Sequence, residues 1–186
     1  MRRISLTLSL AFLTVLFCQA QVTPLKFNKN GEFKIVQFTD IHFQYHNPAS
    51  AIALKRINEV LDAERPDLVV FTGDVVYAAP ADTAMRTVLA CASSRKLPFA
   101  VTFGNHDNEQ GKTRAELYDV IRSMPYNIQP DRGTVESPDY VLVVKSSDGK
   151  KDASVLYCLD SHSYSKLPDV KGYDWLTFDQ VNWYRQ

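Results

Sequence analysis

Cysteine and histidine are scarce in this sequence: 3 of its 186 residues are cysteine, 4 are histidine, and no Gly-His pair occurs anywhere. So few cysteines exclude a disulfide framework, and at most one internal pair could form once the amino-terminal segment is set aside. Charge of one sign is also lacking, since 21 basic residues face 21 acidic ones, which excludes a broad basic surface for nucleic acid. There is no internal repeat, low-complexity tract or linker to split the chain. What is present is an ordinary globular balance, 45% hydrophobic and 23% charged, enough for one domain.

The one concentrated apolar stretch is at the start. Arg2 and Arg3 precede an apolar segment from Ile4 to Phe17, followed by Cys18-Gln19-Ala20. A basic head, a short apolar body and a small residue at the end fit a secretory signal over residues 1–20, with a mature start near Gln21. The segment is shorter than the ~20 residues a spanning helix needs, so no membrane span is expected after its removal. Export to a secreted or periplasmic location follows. Losing Arg2 and Arg3 takes the 21 basic residues to 19 against 21 acidic, a formal −2. Cys91 and Cys158 are then expected as two buried free thiols, with a disulfide between them the alternative.

The remaining 21–186 read as one α/β domain. Apolar runs at 33–39, 68–72 and 99–103, rich in Val and Phe, read as strands. Helical patterns lie between them: 49–64, with Ile57, Val60 and Leu61 on one face, and 81–95, with Met85, Val88 and Leu89. Strands alternating with helices imply a parallel sheet whose strand ends meet at one edge. Thr113 and Glu116 form a capping box opening a helix with Leu117, Val120 and Ile121. Runs at 140–145 and 153–159, joined through Asp148-Gly149, read as an antiparallel hairpin. A last helix starts at a second capping box, Thr177 with Gln180, and runs to Gln186.

Each of the first three strands ends on polar residues: Asp40-Ile41-His42, Gly73-Asp74, and Gly104-Asn105-His106-Asp107. The spacing is regular, 34 residues from Asp40 to Asp74 and 31 from Asp74 to Asn105, about one βαβ unit each. Strand ends are where open α/β sheets gather ligand chemistry. Two neighbouring divalent cations need hard oxygen donors, imidazoles and a carboxylate able to bridge. Asp40 and His42, two apart, can hold one ion. Asp74 enters from the next strand, where its carboxylate can reach both ions. Asn105 offers a neutral oxygen to the second, and Gly73 and Gly104 let the backbone turn sharply. His106 is the candidate acid or charge stabiliser, with Asp107 to orient its ring.

In this order the three motifs resemble the calcineurin-like metallophosphoesterase superfamily, and Gly104 to Glu109 with Leu159-Asp160-Ser161 resembles a secreted, purple acid phosphatase-like branch. The resemblance covers roughly 33–186. It implies an α/β sandwich of mixed β-sheets flanked by helices, two metal ions (Fe, Mn or Zn), a phosphate ester substrate and hydrolysis by an activated water. It assigns Asp40 and His42 to the first metal, Asp74 to the bridge, Asn105 to the second, and His106 to the substrate side.

Two departures qualify this. Phe43 stands where many members have Gly, which bears on pocket shape. The superfamily also completes its site with a later His and a Gly-His-x-His motif, and this sequence has neither the pair nor a spare motif histidine. The expectation is therefore an amino-terminal part of such a domain, with a site short of ligands. The alternative is a secreted, catalytically incomplete domain that binds one metal ion or a phosphorylated ligand. His46 and His162 are expected as polar loop residues and Tyr77 as a packed aromatic.

Overall fold

The computed structural model describes residues 24–135 and 138–186. The expected signal at 1–20 lies outside the described residues, and no helix within them is long and apolar enough to cross a membrane.

Three parallel strands form the first sheet, in the order β1 (Ile35–Phe38), β2 (Leu68–Thr72), β3 (Phe99–Thr102). The crossovers are α1 (Pro48–Glu64) and α2 (Ala81–Ser93), and α3 (Arg114–Arg122) follows β3. A second, antiparallel sheet holds β4 (Tyr140–Lys145) and β5 (Asp152–Cys158), and α4 (Phe178–Tyr184) comes last. The outcome is the mixed α/β sandwich expected.

Alternation along β2 explains the layering. Val69 and Phe71 join Ile57, Leu61, Met85, Val88, Leu89, Leu117 and Ile121 in a core between the parallel sheet and the helices. Leu68, from the opposite face, joins Ala100, Tyr140, Leu142, Val144 and Cys158 in a second core between the two sheets. A strand buried on both faces favours apolar residues at successive positions, which is why 68–71 shows no polar alternation before Thr72 ends the strand. The Tyr140 hydroxyl crosses between the sheets and donates to the Val101 carbonyl at 2.9 Å, satisfying a buried polar group.

Local signals act as read. The Asn47 side chain accepts from the Ala49 N–H with Pro48 behind it, opening α1, and both capping boxes form with reciprocal bonds. Gly149 turns the hairpin at φ 75°. One face assignment is corrected. Val60 is exposed, and the buried stripe of α1 runs through Ser50, Ile57 and Leu61. Both stripes satisfy helical periodicity, and the position of the sheet beneath α1 selects between them. Cys91 and Cys158 are buried and free.

Candidate metal centre

The three strand ends meet at the C-terminal edge of the parallel sheet, where the backbone leaves regular geometry. Asp40, His42 and Asp74 all adopt left-handed conformations, at φ 53°, 47° and 50°. A non-glycine residue pays for that conformation, and three together at one edge mark a site held in place by its surroundings. The holding contacts are backbone ones. The Asp40, His42 and Phe43 N–H groups donate to the carbonyls of Gly73, Asp74 and Val75 at 3.1, 2.8 and 3.1 Å. The loop after β1 thus rides along the loop after β2 as an irregular ladder.

The two glycines allow the loops after β2 and β3 to touch. A Cβ built on Gly73 would lie 2.8 Å from the Gly104 backbone. One built on Gly104 would lie 2.2 Å from Asp74 Oδ1 and 2.4 Å from the Asp74 nitrogen. Only glycine fits at either point.

Side chains converge above this contact. His42 Nε2 lies 3.4 Å from Asp74 Oδ2, and the His106 N–H donates to Asp74 Oδ1 at 2.9 Å. His42, Asp74 and His106 each present a donor atom, all within 4.8 Å of one another. Two imidazoles and a carboxylate suit a borderline divalent cation. Asp40, whose carboxylate takes a 2.6 Å hydrogen bond from Thr39, is not part of that tight group. Asn105 gives its side-chain NH2 to the Tyr164 hydroxyl at 2.9 Å.

Asp107 sits beneath, fully buried. Its two oxygens accept four backbone N–H bonds, from Asp74 and Gly104 on one and from Val75 and Val76 on the other, at 2.8–3.1 Å. Burial pushes this carboxyl above its ordinary value, against the pull of the Gly104, Val76 and Val75 N–H groups. Every contact is a donor, so a carboxyl proton would find no acceptor. The side chain ties the second loop to the third.

His106 instead finds its partner one helical turn's length ahead. Its Nδ1 lies 2.7 Å from Glu109 Oε2. That bond raises the imidazole above its ordinary value and lowers the carboxyl of Glu109. Tyr77 is not packed away: it is 40% exposed and sets its ring edge-on to His42 and His106, at centroid distances of 6.1 and 5.2 Å.

Behind the third loop, Arg114 opens α3 and is buried against Asp160, two residues past the end of β5. Its Nη1 reaches both carboxylate oxygens at 3.0 and 2.9 Å, and its Nη2 donates to the Gly104 carbonyl and the Ser163 hydroxyl, each at 2.8 Å. The guanidinium thus anchors the Gly104 turn to the second sheet.

The profile of the calcineurin-like phosphoesterase family matches residues 33–186. The chain belongs to that family. Among its relatives, the Arabidopsis thaliana protein named probable inactive purple acid phosphatase 29 is 33% identical over 89% of this chain and 49% of its own length. Phosphatase DCR2 of Saccharomyces cerevisiae is 31% identical over 81% of this chain and 30% of its own. UDP-2,3-diacylglucosamine pyrophosphatase LpxG of Chlamydia trachomatis is 33% identical over 45% of this chain and 25% of its own. The chain spans about half, or less, of the length of these curated relatives.

Within this calcineurin-like phosphoesterase domain the structure brings Asp74, His42 and His106 together, with Asn105 and Asp40 on the adjoining turns. It departs from the sequence reading over Asp107, which faces the backbone while Glu109 meets the His106 ring. Three residues beside the group have no place in the sequence reading. Glu109 stands three residues after His106, at the end of the stretch Gly104 to Glu109, a separation that allows contact when the chain turns. Tyr164 and the buried role of Arg114 left no local signal. His162 turns to Gln180, at 3.1 Å, and His46 is exposed.

Proposed function

We propose that this chain carries the metal-binding edge of a phosphoester hydrolase, with Asp40, His42, Asp74 and Asn105 as metal ligands and His106 facing the substrate. The observation that carries the reading is the group of His42, Asp74 and His106 at the C-terminal ends of parallel strands, on a backbone strained at Asp40, His42 and Asp74. Kinship to proteins named as a phosphatase and a pyrophosphatase supports phosphoester substrates. Two divalent or trivalent ions (Fe, Mn or Zn), when bound, would neutralise phosphate charge and lower the pKa of the attacking water.

The residues of the chain divide the remaining work. Asp74, fixed by the His106 N–H, is the carboxylate able to reach two ions. Asn105 adds an oxygen without adding charge. His106 stands where an imidazolium can stabilise negative charge on the phosphoryl oxygens or give a proton to the leaving alkoxide. Asp107 keeps the turns of Asp74 and Gly104 in register. Export through residues 1–20 completes the reading.

A second reading has its own support. The tight group contains three donors, a set for one ion, and three relatives carry the word inactive in their names. A domain that binds a single metal ion or a phosphorylated ligand would need no more. Calorimetric titration of the chain with Mn2+ or Zn2+, alongside hydrolysis of an aryl phosphate, separates the two. Two ions per chain with turnover supports the hydrolase, one ion without turnover supports the binding domain, and no ion, no turnover and no heat on titration with a phosphate ester overturns both. Asp74→Ala should abolish binding under either reading, because it removes the shared donor.

A further inference from the structure

The loop after β5 reaches back over the third strand end and takes hold of it. Tyr164 donates its hydroxyl to Glu109 Oε1 at 2.8 Å and accepts from the Asn105 side-chain NH2 at 2.9 Å. The other carboxylate oxygen of Glu109 meets His106 Nδ1 at 2.7 Å. Both oxygens of Glu109 are therefore committed, one to each ring. Tyr164 is itself held, stacked on Tyr173 with centroids 5.9 Å apart and planes at 21°. Its neighbour Ser163 donates to Asn108 Oδ1 and accepts from Arg114.

We propose that Glu109, steadied by Tyr164, is a positioning residue that fixes the His106 ring in its Nδ1–H tautomer, and that Tyr164 sets the orientation of the Asn105 amide in the same contact. This deepens the hydrolase reading and rests on it for any effect on turnover; the tautomer itself does not. A neutral imidazole whose Nδ1–H is given to a carboxylate carries its lone pair on Nε2. That nitrogen is then the one left for an ion or for a substrate proton. If the imidazolium gives its Nε2 proton to a leaving alkoxide, the ring returns to this same neutral tautomer, so the carboxylate serves both states. For Asn105, giving its nitrogen to Tyr164 leaves the carbonyl oxygen as the free end of the amide, the atom a cation requires.

Alternatives in the same neighbourhood are fewer than the motif suggests. Asp107, next in sequence to His106, spends all its accepting capacity on backbone N–H groups. Tyr77 touches the His106 ring edge-on, at 5.2 Å between centroids. The acidic group that faces Nδ1 is Glu109.

Nitrogen-15 labelling of the 186-residue chain tests this without requiring activity. Long-range proton–nitrogen spectra of the imidazoles at about pH 9, well above the ordinary histidine value of about 6.5, report each tautomer. His106→Gln identifies the signal by its loss. In wild type, His106 should show the Nδ1–H form. In Glu109→Ala it should move toward the Nε2–H form that free histidine prefers in water, and in Tyr164→Phe it should move part of the way. An Nε2–H signal in wild type, or an unchanged signal in Glu109→Ala with an intact backbone spectrum, overturns the proposal. Should Glu109→Ala fail to fold, the wild-type tautomer still decides. Where wild type hydrolyses an aryl phosphate, Glu109→Ala should lower kcat by about 10–100-fold with little change in KM. A tautomer that responds as stated in a chain without turnover would leave the positioning role standing and remove the hydrolase reading.

Discussion

Asp107→Asn is the substitution whose cost the structure sets most directly. The change is isosteric and converts one accepting oxygen into an NH2 group. One amide oxygen can still serve two backbone donors, either the Asp74 and Gly104 pair or the Val75 and Val76 pair. The NH2 then faces the other two N–H groups with nothing to accept from them. A buried donor left unsatisfied costs about 1–3 kcal/mol, so two cost roughly 2–6 kcal/mol. For a chain of this size each kcal/mol lowers the melting temperature by about 2–4 °C, which places the shift at roughly 4–24 °C. Urea unfolding followed by tryptophan fluorescence, with a thermal scan alongside, measures it. His106→Ala is the control: its pair with Glu109 is partly exposed, and its loss should cost about 1 kcal/mol or less. If Asp107→Asn melts with wild type and only turnover suffers, the carboxylate acts on the chemistry and the clamp reasoning is wrong.

Arg114→Ala should destabilise by about 3–5 kcal/mol, because it strands the buried Asp160 carboxylate without its counter-charge; denaturant unfolding checks it, and a loss under 1 kcal/mol would contradict a buried ion pair. Gly104→Ala forces a Cβ to within 2.2 Å of Asp74 Oδ1, so Asp74 must move. A displacement near 1 Å at a reacting centre costs about 10²-fold, and metal affinity by calorimetry should fall with it, whereas wild-type affinity would show that the turn can relax. Glu116 is held down to about 2, first by the Lys112 ammonium and then by the Thr113 N–H and hydroxyl. Its folded value lies below its unfolded one, so what it adds to α3 is present above the ordinary value of 4.5 and fades as pH falls toward about 2. A carbon-13 titration of the side chain should show that low midpoint, and Lys112→Met should raise it; a midpoint near 4.5 in wild type would refute the cap.

Much of the architecture was legible because it is written in short-range patterns. Four apolar residues in a row, Leu68 to Phe71, mark β2, since the part of a strand covered on both faces favours apolar side chains at successive positions. Thr113 and Glu116 bond each other's backbone within a single turn, so four consecutive residues suffice to announce α3. Gly73 and Gly104 could be read as sharp turns, though the reason only glycine fits, a contact between the two loops, lies across 31 residues. The sequence by itself thus determined the strand and helix order and the meeting of three polar strand ends at one edge, whereas the close grouping of His42, Asp74 and His106, without Asp40, came from the structure.

Tertiary structure decided which partner each of those groups received. Helical periodicity allowed Val60 inward as readily as outward, and the sheet under α1 chose Ile57 and Leu61. Asp107 stands next to His106 in sequence, yet its carboxylate lies under the loops, where four N–H groups have no other acceptor. The ring of His106 fell to Glu109 because the chain turns there, and Asn105 met Tyr164 across 59 residues. Arginine ordinarily reads as a surface residue, and only the arrival of Asp160 from the second sheet makes burying Arg114 affordable. Hydrogen bonds and ion pairs depend on where a side chain's tip lies to within half an ångström, and that is set by the packing of elements distant in the chain.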